Sequence, residues 1–312
     1  LSDCKKALAD SEGDFDKAME IIREKGQAIA AKRSDRETSN GCVLVKASEG
    51  FAAIIALKCE TDFVANGADY IKLTQDILDA AVAAKAKSLD EVKELTIADG
   101  TKVQDAVIAR SGITGEKMEL DGYNFIEGDN VAVYDHMNKH LLCTMVQTNK
   151  PAEEQAHAVA MQVAAMNPVA LDEASVPQEV KDTELKVAIE KTKEEQVQKA
   201  VEAALKKAGF NLYIAENEEH LAEGIQKGNI TEAQAEEIRQ LKKTTAEQKA
   251  ANLPEQMVMN IAKGRMAKFY KDSCLLNQEF IQDSKLSVSD YLKAADKDLT
   301  VVAFKRFTLR AE

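Results

Sequence analysis

The sequence predicts an α+β fold in which small antiparallel sheets are covered by helices. A β-hairpin followed by a helix occurs twice, first before the helix from about Ala68 to Ala86 and again before the helix from about Pro151 to Met166. A long, charged helical stretch with narrow apolar stripes separates this pair from a C-terminal strand. The repeated unit predicts two related halves of a core. The charged stretch predicts an antiparallel helical hairpin that projects from that core.

The composition limits the kinds of partner that this chain binds. At 312 residues it is long enough for about two domains. No apolar run approaches the roughly 20 residues of a membrane span, so we expect no membrane partner. The net charge is −12, and nucleic-acid binders need clustered Lys and Arg, so we expect no direct nucleic-acid partner. Five scattered cysteines without C-x-x-C spacing favour reduced thiols and a cytoplasmic protein.

The N-terminal region predicts two short helices. Residues 1–10 carry apolar side chains on one helical face, with Ser2 or Asp3 as the candidate N-cap. A break rich in Ser, Gly and Asp follows, and helical spacing resumes over residues 15–25. Two short helices cannot cover each other's apolar faces alone, so we expect a third helix before the first residue. Residues 26–40 are polar and basic and predict a linker.

The first hairpin leads into a conspicuous octet. Strands at 42–45 and 51–57 pair across a turn at 48–50, and Cys59-Glu60-Thr61-Asp62-Phe63-Val64-Ala65-Asn66 connects the second strand to the following helix. Asp62 and Phe63 are thus predicted on a turn. The Phe63 ring either folds into the local core as a plug or projects as an anchor for a partner. Taken alone, the residues favour the plug, because most aromatic side chains are core residues.

The remaining elements follow from periodicity and turn residues. We predict, in order, a helix at 103–111, a strand at 117–126, a hairpin from 131–134 and 141–146, charged helices at 183–208 and 231–250, a helix at 254–271 that returns to the core, a short helix at 288–294, and a strand at 301–307 that joins a core sheet.

Catalytic chemistry has no clear candidate. The chain contains neither a G-x-x-x-x-G-K-[ST] nor a G-x-G-x-x-G phosphate loop, and no G-x-S-x-G nucleophile motif. His136 and His140 flank a turn next to Asp135, and this trio is an alternative metal site, although solvated turn histidines are the favoured interpretation. We therefore expect no enzyme activity, no cofactor and no metal.

Three motifs carry a family resemblance. The octet, with Thr-Asp-Phe-Val-Ala after a small residue and before a helix, resembles the signature of elongation factor Ts, the nucleotide-exchange factor of the GTPase elongation factor Tu. The stretch Gly264-Arg265-Met266-Ala267-Lys268-Phe269 and the later Leu275-Leu276-Asn277-Gln278-Glu279-Phe280 are also similar to that family. So is the N-terminal pair of helices. The resemblance covers nearly the whole chain in order.

The resemblance implies a domain plan and a function. The plan is a UBA-like helical domain at 1–34 whose first helix is missing, core subdomains at 35–126 and 127–180, a coiled-coil insertion at 181–252, and a return to the core at 253–312. The implied function is guanine-nucleotide exchange on elongation factor Tu, with Asp62 and Phe63 inserted near the Mg²⁺ and phosphate site of the GTPase. The rival hypothesis is an interaction scaffold without exchange activity.

The resemblance also implies which residues touch the partner. Around the octet these are Thr61, Asp62, Phe63 and Val64, and in the N-terminal domain they are Leu1, Ser2 and Lys5. Weaker candidates are Thr114, Gly115 and His136, and Gly115 is equally well explained as an ordinary turn glycine. The sequence leaves open whether the working complex is one-to-one or a dimer of pairs, so a homodimer stays among the partner hypotheses.

Overall fold

The computed structural model describes residues 1–309 and divides the chain into two compact units. The first unit contains Leu1–Leu171 together with the C-terminal segment that starts at Cys274, and the second contains Asp172–Ser273. The helices are α1 (Ser2–Asp10), α2 (Phe15–Lys32), α3 (Asp62–Ala65), α4 (Ala68–Ala84), α5 (Leu89–Lys93), α6 (Val103–Thr114), α7 (Glu153–Met166), α8 (Gln178–Lys207), α9 (Leu212–Ala215), α10 (Glu218–Gln226), α11 (Glu232–Ala251), α12 (Glu255–Ser273) and α13 (Val288–Ala295). The strands are β1 (Asn40–Ser48), β2 (Phe51–Cys59), β3 (Glu119–Glu127), β4 (Val131–Asp135), β5 (Leu142–Thr148), β6 (Glu279–Phe280), β7 (Asp283–Ser287) and β8 (Val301–Thr308).

The α+β class and both predicted hairpins are confirmed. In the first sheet, with strand order β1-β2-β3, the hairpin closes so that Ser48 pairs with Phe51. Gly50 in the connecting turn has φ +75°, a backbone conformation that a residue with a side chain adopts only under strain. In the second sheet the order is β4-β5-β8, so the C-terminal strand joins a core sheet, as predicted, and its neighbour there is β5 of the second hairpin.

The two sheets of the first unit pack face to face, which no local pattern in the sequence predicted. Ile54 and Ala56 of β2 share a buried cluster with Cys143 and Met145 of β5. The opposite face of β2, with Ile55 and its neighbours, packs under α4. The outer face of the second sheet packs on α7 and α13. The layers therefore run helix, sheet, sheet, helix, and β2 is an apolar run because both of its faces are buried.

A glycine permits the close approach of β3 and β8. An added Cβ at Gly122 would lie 2.6 Å from the Phe307 ring and 2.7 Å from the Cβ of Ala56. A larger residue at position 122 would therefore overlap both neighbours.

The N-terminal helices differ from the prediction in two respects. Helix α2 continues to Lys32, so the predicted linker is wrong over residues 26–32. The helix passes through Gly26 because α6 packs against it there: an added Cβ would lie 2.8 Å from Ile108. The predicted cap is also wrong, since the N-cap of α1 is Leu1 and its side chain makes no capping hydrogen bond. The UBA-like assignment of this segment stays a prediction.

The second unit is helical and is built around α8. Both α11 and α12 pack against α8, and a buried cluster at one end contains Val201, Leu205, Ala235 and Ile238. Thr231 caps α11 as predicted, in a capping box with Gln234. Helix α12, predicted to return to the core, instead lies in this unit with α8. The projecting coiled coil stays a prediction. Within residues 1–309, none of the helices has the length and apolar character needed to cross a bilayer.

Candidate functional site

The predicted turn after β2 is a single helical turn, α3, that presents Phe63 to solvent. Thr61 is the N-cap of α3, and its hydroxyl accepts a 3.3 Å hydrogen bond from the Val64 N–H. Phe63 is 87% exposed. The plug interpretation of Phe63 is therefore wrong, and the ring projects away from the core. Asp62 beside it is exposed too.

The core side of this turn is well anchored. Ala65 is buried and Val64 packs against the cluster under α4. Tyr70, at the start of α4, is buried, and its hydroxyl donates a 2.6 Å hydrogen bond to the Leu57 carbonyl near the end of β2. The strand before the turn and the helix after it are thereby joined. The exposed Phe63 ring therefore stands on a firmly held support.

The outer side of the turn is held by two glutamates, each of which accepts hydrogen bonds from backbone N–H groups at or next to the other. The Glu116 carboxylate accepts hydrogen bonds from the Glu60 N–H at 3.1 Å, from the Thr61 N–H at 2.9 Å and from the Thr61 hydroxyl at 2.7 Å. In return, the Glu60 carboxylate accepts a 2.7 Å hydrogen bond from the Lys117 N–H. We call this arrangement of Glu60, Thr61, Glu116 and Lys117 the glutamate clasp.

The loop that carries Glu116 has its own internal support. Gly115 ends α6 with φ +77°, so the turn role of this glycine is real. The Thr114 hydroxyl donates 3.1 Å to the Arg110 carbonyl and accepts from the Glu116 N–H at 3.3 Å. The Ser111 hydroxyl donates 2.6 Å to the Glu116 carbonyl. The Thr114 side chain is thus engaged within its own loop.

Phe63 and Thr114 line one open cleft of about 660 Å³. Its walls include Asp62, Asp69 and Arg110. The Arg110 Nη1 lies 3.8 Å from the Asp69 carboxylate, and within residues 1–309 the buried Arg110 Nε has no hydrogen-bond partner. The cleft therefore combines one exposed ring with charged groups of both signs. The fold thus brings residues of the octet and Thr114 to one cleft.

Ile113 is an exposed residue that the sequence reasoning missed. It is 71% exposed and lies on the last turn of α6 beside Thr114. The resemblance implied a contact at Thr114, the residue directly after Ile113. The useful signal was an isoleucine between two glycines, Gly112 and Gly115, at a helix end, where it has little to pack against.

The other predicted contact residues lie apart from this cleft. Leu1, Ser2 and Lys5 are all exposed at the start of α1, and none lines the cleft. His136 is half-buried in the β4–β5 connection, where its Nδ1 lies 3.1 Å from the Tyr134 hydroxyl. Its neighbour Met137 is exposed with φ +55°, an uncommon backbone conformation for a residue with a side chain.

The electrostatics of the site are those of paired surface groups. The Lys117 N–H, and after it the Arg36 guanidinium, hold the pKa of Glu60 below its usual range. The Asp135 carboxylate is hydrogen-bonded to Nδ1 of the His140 ring. Among residues 1–309, no group of three or more His, Cys, Asp or Glu side chains is arranged to hold a metal ion.

Comparison with known proteins assigns this architecture to a family. The family model described as elongation factor Ts matches residues 60–236 and 221–311. Proteins named elongation factor Ts from Bacteroides fragilis and Phocaeicola vulgatus are 63% and 61% identical to this chain, covering all of it and 94% of each relative. The chain belongs to the elongation factor Ts family. A more distant elongation factor Ts, from Porphyromonas gingivalis, is 42% identical over the whole chain and 93% of its own length.

The family model covers some of the predicted contact residues of this elongation factor Ts family member and not others. Phe63, Thr114 and His136 lie inside the range of the family model. Leu1, Ser2 and Lys5 precede that range and are covered only by the full-length relatives. The suspected family is therefore confirmed, while the contact role of each residue stays a prediction.

Proposed function

We propose that this chain is a guanine-nucleotide exchange factor for elongation factor Tu and acts in translation elongation in the cytoplasm. Family membership supports the activity and the partner. The observation that carries the mechanism is the 87% exposure of Phe63 on a turn held from both sides. A rigid, exposed ring can enter a partner without losing much conformational freedom on binding.

Exchange follows from differential binding. The GTPase holds GDP through backbone donors around the phosphates and through Mg²⁺. A factor that binds the nucleotide-free form better than the loaded form weakens nucleotide binding, and the nucleotide weakens factor binding by the same amount. In this mechanism Phe63 wedges between helices of the GTPase near its Mg²⁺ site, and the exposed Asp62 carboxylate disturbs the coordination of the metal.

Phe63 does not suffice alone. Shifting an equilibrium by ~10⁴-fold requires about 5.5 kcal/mol of differential binding, whereas burying one Phe contributes ~1.5–3 kcal/mol. Further contacts must supply the remainder. Ile113 is an exposed apolar residue on the last turn of α6, directly before Thr114, and we assign to it an apolar contact with the partner. Thr61 and Val64 act mainly by holding the turn, since one caps it and the other packs against the core.

A second contact region lies at the N-terminus. Leu1, Ser2 and Lys5 are exposed at the start of α1, and they dock on the GTP-binding domain of the partner in this proposal. Lys5 offers a cation and Leu1 an apolar side chain, while Ser2 contributes little apolar area. Gly115 and His136 remain weaker contacts. The proposed activity is non-catalytic on this chain's side and requires no cofactor of its own.

The decisive experiment is stopped-flow release of fluorescent GDP from a bacterial elongation factor Tu. We expect this chain to accelerate release, and Phe63→Ala to lose about tenfold or more of the acceleration at subsaturating concentration. Met166→Ala is the matched control, because Met166 is also an exposed apolar residue but lies at the end of α7, outside the cleft lining. Binding without any acceleration of release would instead favour the scaffold hypothesis.

A further inference from the structure

The glutamate clasp does more than close a surface loop, because it bonds the backbone two and three residues before Phe63. Three of its hydrogen bonds end on Glu60 and Thr61. The acceptor, Glu116, is 55 residues away from Thr61 in the chain. Helix α3 has only four residues, too few to fix its own direction by helix formation. The direction of Phe63 therefore depends on what holds the ends of this turn.

The core contacts of α3 fix its position but leave its N-terminal end to the clasp. Ala65 and Val64 pack inward at the C-terminal end of the turn. Asp62 and Phe63 at the N-terminal end are exposed. At that end Thr61 links the turn to the clasp, because its hydroxyl accepts a hydrogen bond from the Val64 N–H and donates one to the Glu116 carboxylate. One side chain, Glu116, thus orients both the cap residue and the backbone before it.

The clasp continues into the segment that follows α2. Arg36 Nη1 lies 3.2 Å from the Glu60 carboxylate and donates to the Gly115 carbonyl at 3.2 Å. The Lys117 ammonium donates to the carbonyls of Ser34 at 2.7 Å and Arg36 at 3.0 Å. The segment at 34–36 is consequently bonded to two members of the clasp, Glu60 and Lys117. The Arg36 side chain is about half exposed, so its share is smaller than that of Glu116.

We infer that Glu116 and Glu60 are positioning residues that fix the direction of Phe63, and that Arg36 links this device to the segment after α2. In this role the Glu116 carboxylate is occupied by hydrogen bonds within its own chain, unlike that of a residue that meets the partner. The orientation of Phe63 belongs to the free chain and is measured without a GTPase. Only its consequence for nucleotide release rests on the proposed function.

A tryptophan introduced at position 63 reports the orientation directly, because the chain contains no Trp. In a Phe63→Trp chain, time-resolved anisotropy gives the amplitude of local ring motion. We expect Glu116→Ala and Glu60→Ala to raise this amplitude at least about twofold. Arg36→Met should raise it less, and Glu116→Gln should keep part of the restraint, because an amide oxygen still accepts one N–H.

Matched controls separate this effect from loss of charge or of folding. Glu20→Ala and Arg23→Met remove a similar exposed ion pair on α2, and neither should change the motion of the introduced indole ring. Thermal unfolding followed by circular dichroism identifies any variant that does not fold. If Glu116→Ala does not fold, the ring motion is compared in Glu116→Gln and Glu60→Ala instead. Unchanged indole motion in all folded clasp variants would overturn the inference.

Nucleotide release then distinguishes this inference from the proposed function. Loss of a positioning residue lowers the competent fraction of the free chain, which raises the apparent dissociation constant in proportion. We therefore expect Glu116→Ala, in the chain with native Phe63, to raise the half-maximal concentration for GDP release about tenfold with the maximal rate retained. Greater indole motion in the Phe63→Trp chain, together with no effect of Phe63→Ala on release, would support positioning and overturn the exchange role of Phe63.

Discussion

The hydroxyl of Tyr70 donates a 2.6 Å hydrogen bond to the carbonyl of Leu57, and both groups are buried. Burial also raises the pKa of this phenol well above its usual range, so the donor stays protonated. The bond joins the last part of β2 to the first turn of α4. The residues between them, including α3 and Phe63, form a short connection between two elements that this bond joins.

Removal of this hydroxyl should lower stability without disturbing the packing. We expect Tyr70→Phe to reduce the free energy of unfolding by about 1 kcal/mol, the usual net value of one hydrogen bond, as measured by urea denaturation. Tyr213→Phe is the control, since Tyr213 is largely exposed and should change the value by less than ~0.5 kcal/mol. Equal effects of the two substitutions would contradict the importance of the buried bond.

Thiol accessibility gives an independent test of the core. Cys4 is exposed, whereas the other four cysteines, Cys42, Cys59, Cys143 and Cys274, are buried. Burial raises the pKa of Cys42 to about 12 and also raises that of Cys143. Because the thiolate is the reactive species, we expect an aromatic disulfide reagent to titrate one thiol quickly in the native chain and five after denaturation. Rapid reaction of two or more native thiols would disagree with the packed sheets.

The loop beside Phe63 predicts opposite roles for two adjacent residues. Ile113 is exposed and Thr114 is bonded within its loop. Loss of the Ile113 side chain should remove about 1–2 kcal/mol of apolar contact, so Ile113→Ala should raise the half-maximal concentration for GDP release about 5- to 30-fold. Thr114→Val preserves shape and should change release less while lowering stability modestly. If Thr114→Val had the larger effect on release, the contact would belong to Thr114.

Acid should loosen the turn through Glu60. Its pKa is held low, first by the Lys117 N–H and then by Arg36. A depressed folded-state pKa means that the ionised group stabilises the clasp above the ordinary glutamate pKa, about 4.3, and that this contribution is lost as the pH falls through the folded value. The anisotropy of the indole in the Phe63→Trp chain should therefore stay constant from neutral pH to about 5 and fall at lower pH.

The matched variant for the acid experiment is Glu60→Gln, introduced into the Phe63→Trp chain. It cannot ionise, so its indole anisotropy should already be lower at neutral pH and should show a smaller acid step. Circular dichroism recorded in parallel separates the local change from global acid unfolding. An acid step of the same size in both chains would assign the titration to other carboxyl groups.

Local patterns predicted the elements better than their ends. The alternation and apolar runs placed both hairpins and the helices after them, because strand and helix periods differ clearly. Helix α2 was predicted to end near Lys25, since Gly26 has a low helix propensity. In the structure the helix continues, because Gly26 permits the contact with Ile108 on α6. That contact joins residues far apart in the chain, and no local rule contains it.

In the candidate site, too, local patterns predicted the position of the turn, whereas long-range contacts decided how its side chains are arranged. The octet marked the right turn, but composition favoured a buried Phe63, since solitary aromatic residues are usually in the core. Its exposure depends on Ala65 and Val64 filling the adjacent core, which is a tertiary property. The clasp could not be predicted at all, because Glu60 and Glu116 each look like one of many surface acids. The order of the motifs gave the family, and the packing gave the geometry.

Alanine substitution at two glycines is expected to change the stability of the chain in opposite directions. An added methyl group at Gly122 would lie 2.6 Å from Phe307 and 2.7 Å from Ala56, whereas one at Gly264 in α12 would meet nothing within 4 Å. Gly122→Ala should therefore destabilise by about 1–3 kcal/mol through overpacking. Gly264→Ala should stabilise by about 0.5–1 kcal/mol, because alanine loses less backbone entropy in a helix.

Urea denaturation of both glycine variants provides the measurement, with the same chain as reference. A second substitution locates the strain, since Phe307→Leu removes the ring that the added methyl group would meet and should recover part of the loss in a double-mutant cycle. An additive result would mean that Ala56 and the β2 backbone alone limit the space at position 122. Destabilisation by Gly264→Ala would mean that this face of α12 is covered in solution, because only a neighbour could oppose the intrinsic helix preference there.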